Sequence, residues 1–229
     1  MNAEPKKAIV ELSVPEPVGV TVDPSLTALV IIDMQNDFAK SGGVSQLHPR
    51  REAVIAPIQG LLARCREAGM PVIYVQSIRD PESPELRVFG VKPFVMRGSW
   101  GAQIVDELQP LPDEPVVEKN SHDPFAYTRM ERILADRGIR PSDWTVIVVG
   151  LGLTNCVSCA VSGFSVRQYR TLLPMNCTAS ASWEEDLCNY ARYMQAGYSY
   201  NVTLTASELI EIAGRPLVGV GGTARVALS

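Results

Sequence analysis

The sequence predicts an α/β fold, a three-layer α/β/α sandwich with a mostly parallel, six-stranded central sheet. Short apolar runs, typical of strands buried on both faces, alternate with amphipathic segments of helical spacing about six times along the 229 residues. Parallel strands need long crossover connections, which are usually helices of right-handed sense. Hydrophobic residues make up 46% of the chain, enough for one sizeable core, so a single domain is expected.

The first half of the chain predicts a β-α-β unit. Residues 28–33 (ALVIID) form a short apolar run that ends in an acid, as expected of a buried strand. From Pro57 the apolar residues keep helical spacing until Gly69, a residue type common just beyond a helix C-terminus. A second buried strand is predicted at 70–76 (MPVIYVQ). Residues 77–98 are rich in Pro, Gly and charge and are interpreted as a functional loop or lid.

The second half continues the alternation, with its strongest strand signal at 144–150 (WTVIVVG). The other predicted elements are a short amphipathic helix at 101–108, a strand at 115–119, helices at 127–138 and 155–168, a strand at 171–176, a helix at 183–196 and a strand near 200–204. Residues 25–213 are therefore predicted to form the domain, after an N-terminal extension at 1–24. The tail at 214–229 lacks clear periodicity and is expected on the surface or on a partner subunit.

Charge and cysteine content narrow the functional class. The net charge of −4 disfavours nucleic acid as a partner, because binding a polyanion needs a cationic surface. No apolar run reaches 18 residues and the N-terminus lacks an apolar signal core, so no membrane association is expected. An odd number of cysteines, five, is a poor disulfide framework and fits a reducing compartment. We expect a cytoplasmic protein with free thiols and a small-molecule partner.

The spacing of Cys156 and Cys159 forms a C-x-x-C motif, which is compatible with a redox pair or half of a zinc site. A second such motif is missing and the histidines are His48 and His122, so a four-ligand zinc site is not expected. Cys159 follows Cys156 by about one helical turn and is interpreted as a small packing residue.

Three reactive side chains follow three predicted parallel strands. Asp33 ends the strand at 28–33, Lys119 ends the strand at 115–119, and Cys156 lies six residues beyond Gly150. In open parallel sheets, ligands bind beyond the carboxyl ends of the strands. A helix N-terminus and a nearby ammonium lower the pKa of a thiol, and a carboxylate accepts its proton. Singly, each residue also fits a structural role, as a packed cysteine, a turn aspartate or a solvated lysine.

Four segments resemble the isochorismatase-like cysteine hydrolases, a family that includes nicotinamidases, N-carbamoyl amidases, ureidoacrylate and biuret hydrolases and isochorismatase itself. They are ALVIIDMQNDF (28–38), RGSWGAQIVDELQP (97–110), VVEKNSHDPFAYT (116–128) and VVGLGLTNCVSCAV (148–161). The likeness covers about residues 25–210. The catalytic Asp, Lys and Cys of the family fall on Asp33, Lys119 and Cys156, and its Rossmann-like fold is the sandwich predicted above.

The resemblance has further implications for the site. It implies a cis peptide between Leu151 and Gly152, and an oxyanion hole made by the N–H groups of Gly152 or Leu153 and of Cys156. Phe38 and Phe125 follow the Asp and Lys motifs and would wall the substrate pocket, or else serve as core residues. Members of the family commonly assemble as dimers or tetramers, so a homodimer or homotetramer is expected.

Departures from the family pattern refine the functional prediction. The strand at 70–76 is not followed by the metal-binding histidines of nicotinamidase-like members, so no metal or other cofactor is expected. Leu153 and Asn176 stand where the family often has Thr and Asp, so the local polar network differs. Arg97 is a candidate for orienting a substrate carboxylate, or a solvated loop residue.

The predicted function is hydrolysis of a C–N bond in a small amide or ureide through a thioester on Cys156. The substrate is expected to be compact and neutral or singly anionic. One alternative is vinyl-ether hydrolysis as in isochorismatase, against which Cys156 argues because that branch lacks the nucleophilic cysteine. The other is a catalytically inactive binding protein of the same fold, supported by the changes at Leu153 and Asn176.

Overall fold

A computed structural model describes residues 16–44, 50–194 and 201–213, together with Glu11 and Ser13. The strands are β1 (Val20–Val22), β2 (Thr27–Ile32), β3 (Val72–Ser77), β4 (Val116–Lys119), β5 (Thr145–Leu151), β6 (Arg170–Pro174), β7 (Thr178–Ala179), β8 (Val202–Thr205) and β9 (Ile210–Ile212). The helices are α1 (Asn36–Ala39), α2 (Arg50–Ala53), α3 (Ile55–Glu67), α4 (Pro84–Arg87), α5 (Met130–Asp136), α6 (Ser158–Val166) and α7 (Trp183–Met194).

The described strands form a seven-stranded central sheet whose pairs are all parallel. Six strands follow the order β4-β3-β2-β5-β6-β8, and the two-residue strand β7 pairs with the end of β5. The predicted α/β sandwich is therefore confirmed, with one short strand beyond the predicted six. A separate pair joins β1 to β9, so residues 20–22 of the predicted extension pair with the end of the domain.

Helices cover both faces of the sheet, because successive residues of a strand point to opposite sides. Leu29 and Ile31 of β2 belong to one core cluster, which also contains Ile58 of α3. Val30 and the other alternate residues of β2 belong to a second cluster, which contains Phe164 of α6. Strand β2 is buried along its whole length, as its unbroken apolar sequence predicts.

The prediction of a helix at 101–108 is wrong. That segment forms two 3-10 turns, Trp100–Ala102 and Asp106–Leu108, separated by extended backbone. Ile104 forms an antiparallel bridge with Gln35 between these turns. The tertiary hydrogen bonds of that bridge replace the bonds that a continuous helix would make.

Some sequence predictions lie outside the described residues, namely those on the tail at 214–229 and on His48. Within the described part of the chain, none of the helices is long and apolar enough to cross a membrane.

Candidate active site

The structure brings Asp33, Lys119 and Cys156 together at the carboxyl edge of the sheet. Lys119 Nζ lies 2.7 Å from Asp33 Oδ2 and 3.2 Å from Cys156 Sγ. All three residues are buried, with side-chain exposures of 0% for Lys119 and 2% for Asp33. Strands β2, β4 and β5 all run in the same direction, so their carboxyl ends deliver the three groups to one place.

A close approach of β2 and β5 positions the aspartate and the cysteine. Gly150 has φ of +120°, and a Cβ atom there would lie only 2.0 Å from the carbonyl oxygen of Ile32. Only glycine fits this position. Asp33, the next residue after Ile32, has φ of +51°, a conformation that non-glycine residues adopt rarely and mostly at turns or functional sites.

Ser77, at the end of β3, completes the buried polar group and was not predicted. Its Oγ donates to Asp33 Oδ2 at 3.0 Å and accepts from Lys119 Nζ at 2.7 Å. Gln35 holds the backbone of Ser77, accepting from its N–H at 2.9 Å and donating to its carbonyl at 2.8 Å. The sequence carried a signal for Ser77, because it directly follows the predicted strand at 70–76.

The charges of the site keep Lys119 protonated. Burial by itself lowers the pKa of Lys119, but the negative charge of Asp33 and the interaction with Cys156 outweigh burial and raise it. The raised pKa keeps this side chain an ammonium ion at neutral pH.

The pKa of the Cys156 thiol reflects opposing influences, and Lys119 lowers it as expected. Burial and the negative charge of Asp33 raise the pKa of Cys156, and together they exceed the opposing effect of Lys119. Asp33 Oδ1 is buried and has no hydrogen-bond partner among the described residues. This carboxylate oxygen is therefore open to receive a proton.

His122 also contacts the thiol, with Nδ1 3.3 Å from Cys156 Sγ. Burial and the positive charges of Lys119 and Arg79 lower the pKa of His122, so the imidazole is neutral at physiological pH. From the sequence, His122 was a candidate for a metal ligand only. Within the described ranges, no three His, Cys, Asp or Glu side chains are grouped to hold a metal ion.

The backbone turn that carries Cys156 is a π-helical turn at Leu153–Val157, followed directly by α6. The Gly152 carbonyl accepts from the N–H groups of Asn155 and Val157, and the Thr154 N–H donates to Ser180 Oγ at 2.7 Å. These bonds occupy the N–H groups of Thr154, Asn155 and Val157, and the N–H groups of Gly152, Leu153 and Cys156 remain the candidate oxyanion donors.

The peptide between Leu151 and Gly152 is trans, since no cis peptide bond occurs among the described residues. The expected cis bond is thus wrong for this structure; trans is the intrinsically favoured form of a non-proline peptide, by about 3 kcal/mol. The Leu153 side chain is fully buried in the second core cluster. Asn176 Nδ2 donates to Ser207 Oγ and to Glu208 Oε2, and its Oδ1 accepts from the Ser207 N–H.

A pocket of about 190 Å³ opens onto Asp33 and Cys156. Phe38 lines it, as predicted for one of its walls, and Phe94 forms an edge-to-face pair with Phe38 at 5.8 Å between ring centroids. The remaining side chains around the pocket include polar and basic groups. The lining residues are Asp33, Phe38, Arg51, Ser77, Arg79, Phe94, His122, Leu151, Gly152, Asn155 and Cys156.

Phe125 does not line this pocket. It is a core residue, which was the alternative to a role in the pocket wall. Its ring packs edge-to-face against Phe164, with 5.0 Å between centroids, and beneath the guanidinium of Arg167. Gly163 allows this approach, because a Cβ atom there would lie 2.6 Å from the ring. Phe94, from the predicted loop, takes the place expected for the second aromatic wall.

The other cysteines and Arg97 lie outside the reactive group. All five cysteines are free, as predicted, and Cys159 is partly exposed. Arg97 is exposed and forms ion pairs with Asp80 and Glu118, so it is committed elsewhere and does not line the pocket.

Comparisons with known proteins agree with this geometry. Residues 27–206 match the family model described as the isochorismatase domain. The chain is 34% identical over 183 residues to the ureidoacrylate amidohydrolase RutB of Caulobacter segnis, an alignment covering 69% of this chain and 74% of that protein. It is also 34% identical over 166 residues to the protein of the same description from Agrobacterium fabrum, covering 62% and 70% of the two chains.

Solved structures give the same picture. N-carbamoylsarcosine amidase from Thermoplasma acidophilum superposes with a TM-score of 0.68 at 28% identity, covering 82% of this chain and 99% of that one. Nicotinamidase PncA from Bacillus subtilis has a TM-score of 0.67 at 22% identity, covering 75% and 96% of the two chains, and shows likeness of fold alone.

Proposed function

Because this chain belongs to the isochorismatase family, we propose that it is a cysteine hydrolase that cleaves a C–N bond of a small amide or ureide. The observation that carries the proposal is the buried contact of Lys119 Nζ with both Asp33 Oδ2 and Cys156 Sγ beside the pocket. The relatives named as ureidoacrylate amidohydrolase and N-carbamoylsarcosine amidase support the bond type and direct attention to ureides.

The first half-reaction acylates Cys156. Its sulfur attacks the carbonyl carbon of the substrate while the thiol proton passes to Asp33, whose Oδ1 has no other described partner. Asp33 then gives that proton to the leaving nitrogen, the C–N bond breaks and an amine departs. An amide leaves a thioester on Cys156, and a ureide leaves a thiocarbamate. Backbone N–H groups of the turn at 152–156 stabilise the oxyanion that forms on the carbonyl oxygen.

The second half-reaction releases the acyl group. A water molecule attacks the acyl carbon and gives one proton to Asp33, which returns it to the departing sulfur and regenerates the thiol. A ureide then yields carbamate, which decomposes to ammonia and carbon dioxide. Lys119 stays protonated throughout and stabilises negative charge on sulfur as the thiol proton leaves, since the pKa of Lys119 is raised by Asp33 and Cys156 despite burial.

The geometry of the site also bears on the two alternative functions. A vinyl-ether hydrolase does not need a nucleophilic thiol, whereas here Cys156 lies on the pocket in contact with Lys119. An inactive binding protein was suggested by Leu153 and Asn176, but neither side chain is in the contacts that join Asp33, Lys119 and Cys156. Both observations favour the cysteine hydrolase.

An ammonia-release screen tests the proposal. Ureidoacrylate, N-carbamoylsarcosine and biuret should yield ammonia before nicotinamide does. Isochorismate contains no nitrogen, so its hydrolysis is followed by pyruvate release, and none is expected. Cys156→Ser should abolish turnover while the melting temperature stays within a few degrees, because a hydroxyl is a far weaker nucleophile. The matched control is Cys188→Ser, which changes an exposed thiol outside the pocket and should keep full activity.

Most activity remaining in Cys156→Ser would contradict the mechanism. A preference for nicotinamide or isochorismate would contradict the substrate class.

As part of the same proposal, the protein acts in the cytoplasm as a homodimer or homotetramer and binds a small amide or ureide rather than nucleic acid or membrane. Its acidic net charge and five free thiols support this view. Static light scattering at micromolar concentration should report at least twice the mass of the 24.9 kDa chain. A monodisperse monomer would contradict the assembly.

A further inference from the structure

Arg79 lines the pocket, and the proposed mechanism does not use its buried guanidinium. The residue lies two positions beyond β3, is 4% exposed and lines the pocket together with Cys156. Its Nε and Nη1 atoms have no hydrogen-bond partner among the described residues. Charged N–H donors that are buried without an acceptor are costly, so a pocket containing them is incomplete until an acceptor enters.

The residues around Arg79 hold its side chain in place, but they do not accept hydrogen bonds from all of its N–H groups. Nη2 lies 3.3 Å from Glu85 Oε1, and the guanidinium carbon lies 5.1 Å from the centroid of the Phe94 ring. The backbone of Arg79 is anchored as well, since its N–H donates to the Val95 carbonyl. The guanidinium is therefore held at the pocket wall, and two of its nitrogens have no acceptor among the described residues.

The charges around the pocket indicate one negative charge on the ligand. Asp33 is already paired with Lys119, and Arg51, a second guanidinium on the pocket wall, donates from Nε to the Ser180 carbonyl. Glu85 offsets part of the charge of Arg79. A carboxylate satisfies the remaining donors with a single charge, and a pocket of about 190 Å³ between Phe38 and Phe94 suits a small, flat acid.

We propose that Arg79 binds a carboxylate of the substrate, which makes the substrate class a small ureide or amide carrying one carboxylate near the scissile bond. This inference rests on the proposed function. Arg79 thus takes the role of orienting a substrate carboxylate, for which the sequence suggested Arg97. The exposed guanidinium of Arg97 is paired with Asp80 and Glu118.

Ligand binding without turnover tests the inference separately from catalysis. Calorimetric titration of the full chain carrying Cys156→Ser would compare ureidoacrylate with its methyl ester, which has the same shape without the charge. The acid should bind at least about tenfold more tightly than the ester, as expected for a charge-assisted hydrogen bond in a buried site. Adding Arg79→Gln should remove this preference and leave the affinity for the ester within about threefold.

Two further variants complete the design. Glu85→Gln removes the carboxylate that competes with the ligand for Arg79. This variant should bind the acid a few-fold more tightly and bind the ester unchanged. Because it keeps Arg79, it still tests the inference if Arg79→Gln does not fold. Arg97→Gln is the matched control and should leave the acid-to-ester ratio unchanged.

Equal binding of acid and ester, binding of neither, or loss of the preference in Arg97→Gln instead of Arg79→Gln would overturn the inference. Ammonia release by the unmodified protein is measured in parallel. Release from both acid and ester with equal efficiency overturns the role of Arg79 alone, whereas a preference for binding the acid without any ammonia release overturns the proposed function alone.

Discussion

Asp33→Asn and Lys119→Met should change the reactivity of Cys156 in opposite directions. The negative charge of Asp33 raises the pKa of the Cys156 thiol, and the positive charge of Lys119 lowers it. Removing the carboxylate leaves the ammonium as the nearest charge and favours the thiolate. Removing the ammonium leaves the carboxylate and disfavours the thiolate further. Both variants should lose turnover, since the first lacks the proton acceptor and the second lacks the cation.

The expected size follows from the distances. Two unit charges 3.2 Å apart, the separation of Lys119 Nζ and Cys156 Sγ, interact by about 5 kcal/mol at an effective dielectric constant of about 20. A tenfold change in reactive thiolate needs only about 1.4 kcal/mol. We therefore expect alkylation of Cys156 at pH 7 to become at least about tenfold faster in Asp33→Asn and at least about tenfold slower in Lys119→Met.

The assay is iodoacetamide alkylation between pH 6 and pH 10, quantified for each cysteine by peptide mass spectrometry. Cys188, which is exposed, reports general thiol reactivity and should react equally in all three proteins. Lys119→Met leaves the Asp33 carboxylate buried without its cation, which costs about 3–5 kcal/mol of stability. Melting temperatures therefore set an assay temperature at which each variant remains folded.

A slower or unchanged rate at Cys156 in Asp33→Asn would refute this reasoning, because it would mean that the carboxylate does not hold the thiol protonated. Turnover retained by Asp33→Asn would separately remove Asp33 from the role of proton acceptor.

Two further predictions concern the scaffold. Gly150→Ala should lower the free energy of unfolding by at least about 3 kcal/mol, because its Cβ would lie 2.0 Å from the Ile32 carbonyl oxygen. Gly60→Ala has open space around the new methyl group and should raise the free energy of unfolding by about 0.5–1 kcal/mol. Chemical denaturation compares the two, and equal effects would contradict the packing argument. Burial raises the pKa of Cys65 from an ordinary 9.0 to about 12, so the stabilisation from this neutral thiol is fully present below pH 9 and is lost as the pH rises towards 12. The melting temperature of Cys65→Ala should therefore fall less than that of the unmodified protein between pH 9 and pH 11, and parallel curves would refute this.

The fold class and the meeting of Asp33, Lys119 and Cys156 at one edge of the sheet could be predicted from the sequence for a shared physical reason. Strands buried on both faces need unbroken apolar runs, and helical crossovers need a 3.6-residue apolar repeat. The alternation of strands and helices is therefore visible in short stretches of sequence. Once the strands are parallel, the residues at their carboxyl ends share one edge of the sheet. Asp33, Lys119 and Cys156 follow from that rule, and Ser77 could have been found by applying it to β3 as well.

The remaining features were decided by contacts between distant segments, for which a single sequence carries no local signal. Phe94 rather than Phe125 lines the pocket because Gly163 admits the Phe125 ring into the core. Residues 101–108 are not one helix because Gln35 pairs with Ile104.

The protonation state of Cys156 depends on tertiary structure for a further reason. The sequence supplies both the cation and the carboxylate, but the direction of the pKa shift is set by burial and by the positions of both charges around the sulfur. Arg79 and Arg97 likewise look equivalent in the sequence, as two arginines of one loop. Folding buries the first against the pocket and leaves the second in solvent with two acids, because only the folded chain determines which guanidinium loses its water.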